Sequence, residues 1–446
     1  MARKYQAYPE YKVCDGDWIF DIPEDWEIFR GKYLFEIKKR IAGGLGHDVL
    51  SITQKGIKIK DTESGDGQLS MDYSKYQLVE PGDFAMNHMD LLTGYVDISD
   101  FYGVTSPDYR VFSPKKTADC SRFFLYVLQM CYTQKIFFKY GQGASHLGRW
   151  RLPTEEFKNF CFPCPPELDR EKIADFLDYE TAQIDTLIDK QQQLIQLLKE
   201  KRQAVINHAV TKGLNPDAPM KDSGIEWLGK VPEHWGLVPL KYLCSFSGGG
   251  TPDKSNLSYW VGGKIPWVSP KDMKSFWITK TQDQLTDEAV RESSTSFVEI
   301  GALLVVVRSG ILQRTIPIGI NTVRVTLNQD MKALVFNERI SSEYAANYIL
   351  GNVPSLLLEW SKEGATVESI EHEFLSGSLI PVPPQSEQTL INRKVTEKSS
   401  YFQILEERAV KGIALLQERR SALISAAVTG KIDVRGWQPP AKSQPC

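Results

Sequence analysis

Arg308-Ser-Gly-Ile-Leu-Gln-Arg314 follows a strongly apolar run, so two guanidiniums and an amide stand where a strand gives way to a loop. Such groups match base edges, Arg pairing with guanine and Gln with adenine. Asn328-Gln-Asp-Met-Lys332 and Gly364-Ala-Thr366 add polar loop groups of the same kind. In the first half, Gln54-Lys55 with Lys58 and Lys60, Asn87-His-Met-Asp90, and Ser145-His-Leu-Gly-Arg149 are comparable. The candidate contacts are therefore Gln54, Lys55, Lys58, Lys60, Asn87, His88, His146 and Arg149 in one half. In the other they are Arg308, Ser309, Gln313, Arg314, Gln329, Lys332 and Thr366. Singly, each is equally a solvated turn residue. As a set they would meet DNA mostly at phosphate, where contacts set register without specifying sequence.

Catalytic groupings are scarce. Cys161-Phe-Pro-Cys164 is the one pair at metal-ligand spacing, but no second Cys or His pair lies near it, so packing is the better reading and no metal site is expected. An adenine methyltransferase needs an Asn/Asp-Pro-Pro-aromatic loop and a Gly-rich cofactor turn. Asn215-Pro-Asp217 is the nearest approach and reads as a linker turn. No Gly-x4-Gly-Lys-Ser/Thr phosphate loop exists, which excludes translocation by this chain. A nuclease pattern, Asp25…Glu36-Ile-Lys38, becomes His234, Ser245 and Ser247 in the second half and is loose enough to arise by chance. No catalytic residue is expected.

The elements that must hold these loops come in two copies. Lys12, Trp18, Pro23, Glu24, Trp26, Lys32, Tyr33 and Leu34 recur at an offset of 209 as Lys221, Trp227, Pro232, Glu233, Trp235, Lys241, Tyr242 and Leu243. At an offset of 218, Pro163, Pro165 and Pro166 return as Pro381, Pro383 and Pro384, and Leu198, Glu200, Arg202 and Ala204 as Leu416, Glu418, Arg420 and Ala422. The frame repeats while the interiors diverge, as expected of one scaffold carrying two readers. Each half runs from a lead-in segment through a mixed region to a proline block and a long helix. Alternating apolar stretches such as Val49–Ile52 and Leu303–Val307 predict strands, and Ser121–Tyr132 and Ser342–Leu350 predict helices. The expected fold class is α/β (α+β), with two globular domains per chain.

After Pro166, apolar residues fall at Ile173, Leu177, Ile184, Leu187, Leu194, Leu198 and Val205, an alternating four-three spacing broken at Glu180, Gln191 and Lys201. The second copy has Ile391, Val395, Phe402, Leu405, Ala409, Leu416 and Leu423. About 40 residues at ~1.5 Å each make a rod of roughly 60 Å. Two such rods with matching seams should pair as an antiparallel coiled coil that separates the domains, giving the chain an internal pseudo-twofold repeat.

Composition fits this reading. The 446 residues are too many for one ordinary core, and 42% hydrophobic with 11% aromatic residues is globular. No apolar run is long enough to span a membrane and the start lacks a signal-peptide core, so a cytoplasmic location is the default. Seven cysteines without regular spacing argue against a disulfide framework. Net charge is −3, with 21 basic against 23 acidic residues over 1–168 and 15 against 19 over 214–380. Neither domain is basic as a whole, so any DNA affinity must come from local patches or a partner.

Pro381-Val-Pro-Pro-Gln-Ser-Glu-Gln388, the helix after it, and Glu418-Arg-Arg-Ser-Ala-Leu-Ile-Ser-Ala-Ala-Val-Thr-Gly430 resemble conserved regions of the specificity (S, HsdS) subunit of Type I restriction-modification enzymes. So do Lys221-Asp-Ser-Gly-Ile-Glu-Trp-Leu-Gly229, Val231-Pro-Glu-His-Trp235, Gly249-Gly-Thr-Pro252 and Ile265-Pro-Trp-Val-Ser-Pro-Lys-Asp-Met273. Thr251 and Lys271 thereby join the candidates. Gly143-Ala-Ser-His-Leu-Gly-Arg-Trp-Arg-Leu-Pro153 is similar to the end of the family's first reader. The first proline block, Pro163-Cys-Pro-Pro-Glu-Leu-Asp-Arg170, departs from the pattern in lacking Ser-Glu-Gln.

The resemblance implies a non-catalytic DNA-reading subunit with two target-recognition domains, each reading half of a split site. The divisions it suggests are a first domain over 1–166, spacer helix 167–213, second domain 214–384, spacer helix 385–430 and tail 431–446. Implied partners are double-stranded DNA, two methyltransferase (modification) subunits and restriction/translocase subunits. S-adenosylmethionine, ATP and Mg would be held by those partners and no cofactor by this chain. A two-lobed coiled-coil scaffold or protein-binding adaptor without DNA specificity is the alternative.

Overall fold

The tryptophan-bearing segments that recur at an offset of 209 fold into hairpins of one register. Tyr11–Val13 pairs antiparallel with Asp21–Pro23, and Met220–Asp222 with Lys230–Pro232; Tyr11 faces Pro23 as Met220 faces Pro232. The next strands tie the two offsets together. Glu27–Arg30 pairs with Cys161–Cys164 and Gly236–Pro239 with Leu379–Val382, so that Glu27 lies opposite Cys164 and Gly236 opposite Val382. In each half a strand of the 209 frame is thus hydrogen-bonded to a strand of the 218 frame, closing the domain between them.

These relations come from a computed structural model that describes residues 5–61, 73–116, 120–143, 150–361 and 369–440. The chain divides into two compact units, one built from residues 1–191 and 411–446, the other from 192–410. Each unit therefore holds one globular domain and part of each long helix. Among the described residues no helix is long and apolar enough to cross a membrane.

In the first unit, Phe35–Lys38, Arg110–Pro114, Phe84–Met86 and Val96–Ile98 form an antiparallel sheet in that order. Helix Ser121–Thr133 lies against Val96–Ile98, with Gln129 donating to the Val96 carbonyl at 3.2 Å. Phe35 anchors the core, its ring 5.2–5.4 Å from those of Phe112, Phe124 and Phe162. The second unit is built differently inside. A five-stranded sheet runs Cys244–Gly248, Met331–Phe336, Leu303–Val306, Ile318–Asn321, Trp277–Ile278, and a four-stranded one runs Asp283–Leu285, Ile265–Val268, Val325–Leu327, Phe297–Val298. Each contains one parallel pair. The shared frame and unlike interiors are those of a duplicated α+β protein.

The long helices span Glu167–Lys212 and Gln385–Val428. Within the first unit their segments run antiparallel: Asp185 accepts from Arg420 at 3.0 Å, while the earlier Lys172 donates to the later Arg435 carbonyl at 3.1 Å. Ile173, Leu177 and Ile184 share that unit's core with Leu423, Ile424, Ala427 and Val428. In the second unit Ile391 and Val395 share a core with Ile206, Ala209 and Val210. Phe402 is buried, and Leu198, Val205, Leu405 and Leu416 are half-buried. Leu187 and Leu194, expected in the seam, are instead 46% and 42% exposed, and Ile188 packs on the core. A straight α-helix drifts about 20° per heptad against a four-three row, so a seam begun at Ile173 has turned outward there.

The ends of these helices meet the lead-in hairpins crosswise. Gly430, ending the second helix, abuts Pro23 and Trp26, and Gly213, ending the first, abuts Pro232 and Trp235. Both glycines have left-handed backbone, φ +72° and +78°, which halts each helix and turns the chain at little steric cost. Cys161 and Cys164 sit at the two ends of one strand, and residues three apart on a strand point to opposite faces. The pair cannot close on one metal ion.

Candidate nucleic-acid interface

In the second unit, strand Leu303–Val306 is buried at all four positions and releases the chain at Arg308. Arg308 is exposed, but its guanidinium is held: Nε lies 2.8 Å and Nη2 2.7 Å from Oδ1 of Asp330. Asp330 occupies the turn between Val325–Leu327 and Met331–Phe336, shaped by Asn328, whose Oδ1 accepts the Asp330 N–H at 3.0 Å. Beside it, Gln329 Oε1 accepts the Thr251 hydroxyl. Thr251 is brought there because Gly250 donates its N–H to the Leu327 carbonyl at 2.9 Å. A Cβ on Gly249 would lie 2.0 Å from the Asn328 carbonyl oxygen, so only glycine permits this approach.

The same edge gathers the remaining candidates of this half. Ser309 accepts the Ile311 N–H, starting the short turn Gly310–Gln313, after which Gln313 and Arg314 are exposed. Asn328 donates to the Val268 carbonyl at 2.9 Å, which places the Pro270–Asp272 turn and exposed Lys271 nearby in the chain. Lys332 is half-buried, one residue into its strand. Thr366 lies outside the described residues, although Ser369 bridges back to Arg308.

In the first unit, strand Phe84–Met86 likewise delivers Asn87 and His88 to a loop. The Asn87 carbonyl accepts Tyr132 Oη at 2.8 Å and the His88 carbonyl accepts the Leu152 N–H at 2.9 Å. The corresponding donor in the second unit is Ile370, 218 residues on, which bonds the Val307 carbonyl at 2.8 Å. His88 and the Val307–Arg308 pair thus hold equivalent places in the two units. Asp90 Oδ1 accepts the Leu92 and Thr93 N–H groups, and Gln54 donates to the Thr93 carbonyl at 3.4 Å. That bond sets the Gln54-Lys55 turn of hairpin Leu50–Thr53/Gly56–Ile59 beside the loop. Lys58 is exposed on its second strand and Lys60 is half-buried just beyond. His146 and Arg149 lie outside the described residues.

Electrostatics separates the two edges. Burial, with the positive charges of Arg110 and Arg151, pushes the His88 imidazole down to about 3, so it is neutral. Its Nδ1 and the Asn87 Oδ1 are buried without a hydrogen-bond partner among the described residues. Beneath them is a residue that sequence reasoning missed. Arg110, 3% exposed, donates to the Leu152 carbonyl at 3.0 Å and stacks 4.7 Å from the Phe157 ring. Burial lowers its guanidinium to about 10, and among the described residues it forms no ion pair. A lone Arg before an apolar strand gives no sign in sequence that it turns inward.

The loose nuclease pattern does not converge. Glu36 is bonded to Lys38 at 2.5 Å and Asp25 lies 3.5 Å from Arg435. Among the described residues no cluster of His, Cys, Asp and Glu could hold a metal ion.

The fold is that of a duplicated α+β protein with a polar edge in each unit and two long helices. The family model for the Type I restriction modification DNA specificity domain matches residues 23–197 and again 232–408, and the chain belongs to this family. The EcoR124I/EcoR124II specificity subunit of Escherichia coli is 34% identical over 195 residues, covering 43% of this chain and 44% of that subunit, less than half its length. A putative MjaX specificity subunit of Methanocaldococcus jannaschii is 22% identical over 444 residues, 94% of this chain and 96% of the relative. The HsdS subunit of Thermoanaerobacter tengcongensis shares the fold with a TM-score of 0.52 at 15% identity, over 92% of this chain and 98% of that one. A chain solved in work on complex assembly and conformational transition of a type I R-M system gives 0.65 at 16% identity, over 92% and 99%.

Proposed function

We propose that this chain is the non-catalytic DNA-specificity subunit of a Type I restriction-modification complex. Its first domain (1–166) and second domain (214–384) each read one half of a split site, with spacers 167–213 and 385–430 fixing their separation. The observation that carries this reading is the pairing of one frame with two unlike polar edges. One edge offers Asn87, neutral His88 and Gln54, the other Arg308, Gln329 and Thr251, with His88 and Val307 at equivalent places. Identical readers would serve a palindrome, whereas unlike ones on a repeated frame serve an asymmetric, two-part sequence.

The chain's role is positional. It selects the site and presents equivalent frame surfaces to two modification subunits, with restriction/translocase subunits joining for cleavage. S-adenosylmethionine, ATP and Mg belong to those partners, and the complex works in the cytoplasm. Co-expression with the cognate modification subunit, followed by genome-wide mapping of methylated adenines, tests this; methylation unchanged when the chain is omitted would sink it. Exchanging residues 214–380 for another family member's should alter only one half of the methylated motif.

A further inference from the structure

The ion pair of Arg308 and Asp330 uses one flank of the guanidinium and leaves its end open. Nε and Nη2 both meet Oδ1 of Asp330, at 2.8 and 2.7 Å. A guanidinium carries its N–H donors in a planar fork, so Nη1 and the outer hydrogen of Nη2 remain. Among the described residues neither has a partner, and the Arg308 side chain is 55% exposed.

The carboxylate is itself held. Asn328, 6% exposed, donates from Nδ2 to Asp330 Oδ2 at 3.3 Å and accepts the Asp330 N–H at Oδ1 at 3.0 Å. The root of Arg308 is pinned as well, because Val307 donates its N–H to the Asp330 carbonyl and accepts from Ile370 at its own carbonyl, both at 2.8 Å. An ion pair this exposed contributes little to folding. Its physical effect is to remove rotamer freedom from a long side chain before any ligand arrives, which lowers the entropic cost of binding at the open end.

We infer that Arg308 reads a guanine in the major groove of the second half-site and that Asp330 is its positioning residue, an inference that rests on the proposed function. The open end of the fork, Nη1 beside Nη2, matches the O6 and N7 acceptors of guanine in one plane. A phosphate is the competing ligand for an exposed arginine, and the carboxylate decides against it. Asp330 offsets the charge of Arg308 at contact distance and would stand close to the phosphate's own negative charge, so the Coulomb gain of a phosphate contact is largely cancelled. Guanine is uncharged and loses little by that proximity. It is selected by hydrogen-bond geometry, which the pair supplies.

The test takes the full chain in complex with the modification subunit and selects bound duplexes from a randomised DNA library. The wild-type complex should select a two-part sequence with a G·C pair in the second half. Arg308→Lys keeps the charge and loses the fork, whereas Asp330→Ala keeps the arginine and frees it. Both should lower the preference for that pair by on the order of tenfold to a hundredfold, with the first half selected as before and unfolding midpoints retained. Asp330→Asn still accepts from Nε and should keep much of the preference. Unchanged preference in Arg308→Lys or in Asp330→Ala overturns the inference, as does a uniform loss of affinity with a shallower salt dependence, the mark of a phosphate contact. A selected second half without a G·C pair overturns it while leaving the proposed function standing. A wild-type complex that selects no sequence overturns the proposed function and the inference with it.

Discussion

Replacing Arg110 by Met should leave the first unit folded while degrading what its edge reads. Arg110 bonds the Leu152 carbonyl at 3.0 Å, and losing a hydrogen bond from a charged donor costs about 1.5–3 kcal/mol. Its stacking on Phe157 at 4.7 Å is largely replaced, because a thioether against an aromatic ring contributes about 0.3–1.5 kcal/mol. Against the loss stands relief of a buried charge. A guanidinium lowered from 12.5 to about 10 carries a burden on the order of 3 kcal/mol at 1.36 kcal/mol per unit. These effects nearly cancel, so net stability should change by no more than about 2 kcal/mol, or roughly 4–8 °C in unfolding midpoint for a unit of this size.

Recognition should respond more strongly. Leu152 receives Arg110 at its carbonyl and donates its own N–H to His88, so the guanidinium tethers the segment that holds the reading loop. Without it, discrimination at the first half-site should fall by about 1–3 kcal/mol, the worth of one good base contact, while the second half-site is read as before. Thermal unfolding of the complex and methylated-adenine mapping measure the two quantities. Unchanged reading of both half-sites would refute the tether. A midpoint lowered by much more than about 8 °C would show that the charge is needed for folding itself.

Two further outcomes follow from the geometry. His88 ordinarily titrates near 6.5 but near 3 in the fold, so the unfolded chain binds the extra proton; stability is full above about pH 6.5 and declines by about 1.4 kcal/mol per pH unit down to about 3. A His88→Leu variant should lack that part of the slope in denaturant titrations across the window, and an identical slope would count against a buried neutral imidazole. Gly213→Ala and Gly430→Ala both force alanine into left-handed backbone, costing about 1–2 kcal/mol each. Gly430→Ala should cost about 1–3 kcal/mol more, because its Cβ would sit 2.4 Å from Pro23 Cδ while that of Gly213 meets nothing nearer than 3.1 Å. Equal costs in urea unfolding would disprove that difference.

The frame was readable before folding because it is periodic. Offsets of 209 and 218 reappear as hairpins of one register and as strand pairs joining the two offsets. The helices predicted over Ser121–Tyr132 and Ser342–Leu350 form at Ser121–Thr133 and Ser342–Gly351. Leu187 shows where periodicity misleads, since a four-three row was extended along a helix that turns by 3.6 residues. Polar loops could be named as candidates, but not sorted. Thr251 and Gln329 are 78 residues apart and bonded, and Arg308 is already engaged by Asp330.

The sequence by itself determined the duplication, the long helices and the lack of a phosphate loop, because repeats, apolar spacing and motif residues are local properties of the chain. Only the tertiary structure decided which loops share an edge, that His88 is neutral and that Arg110 is buried. Those properties depend on which distant segments exclude water from a side chain, and strand pairing settles that between residues far apart in sequence.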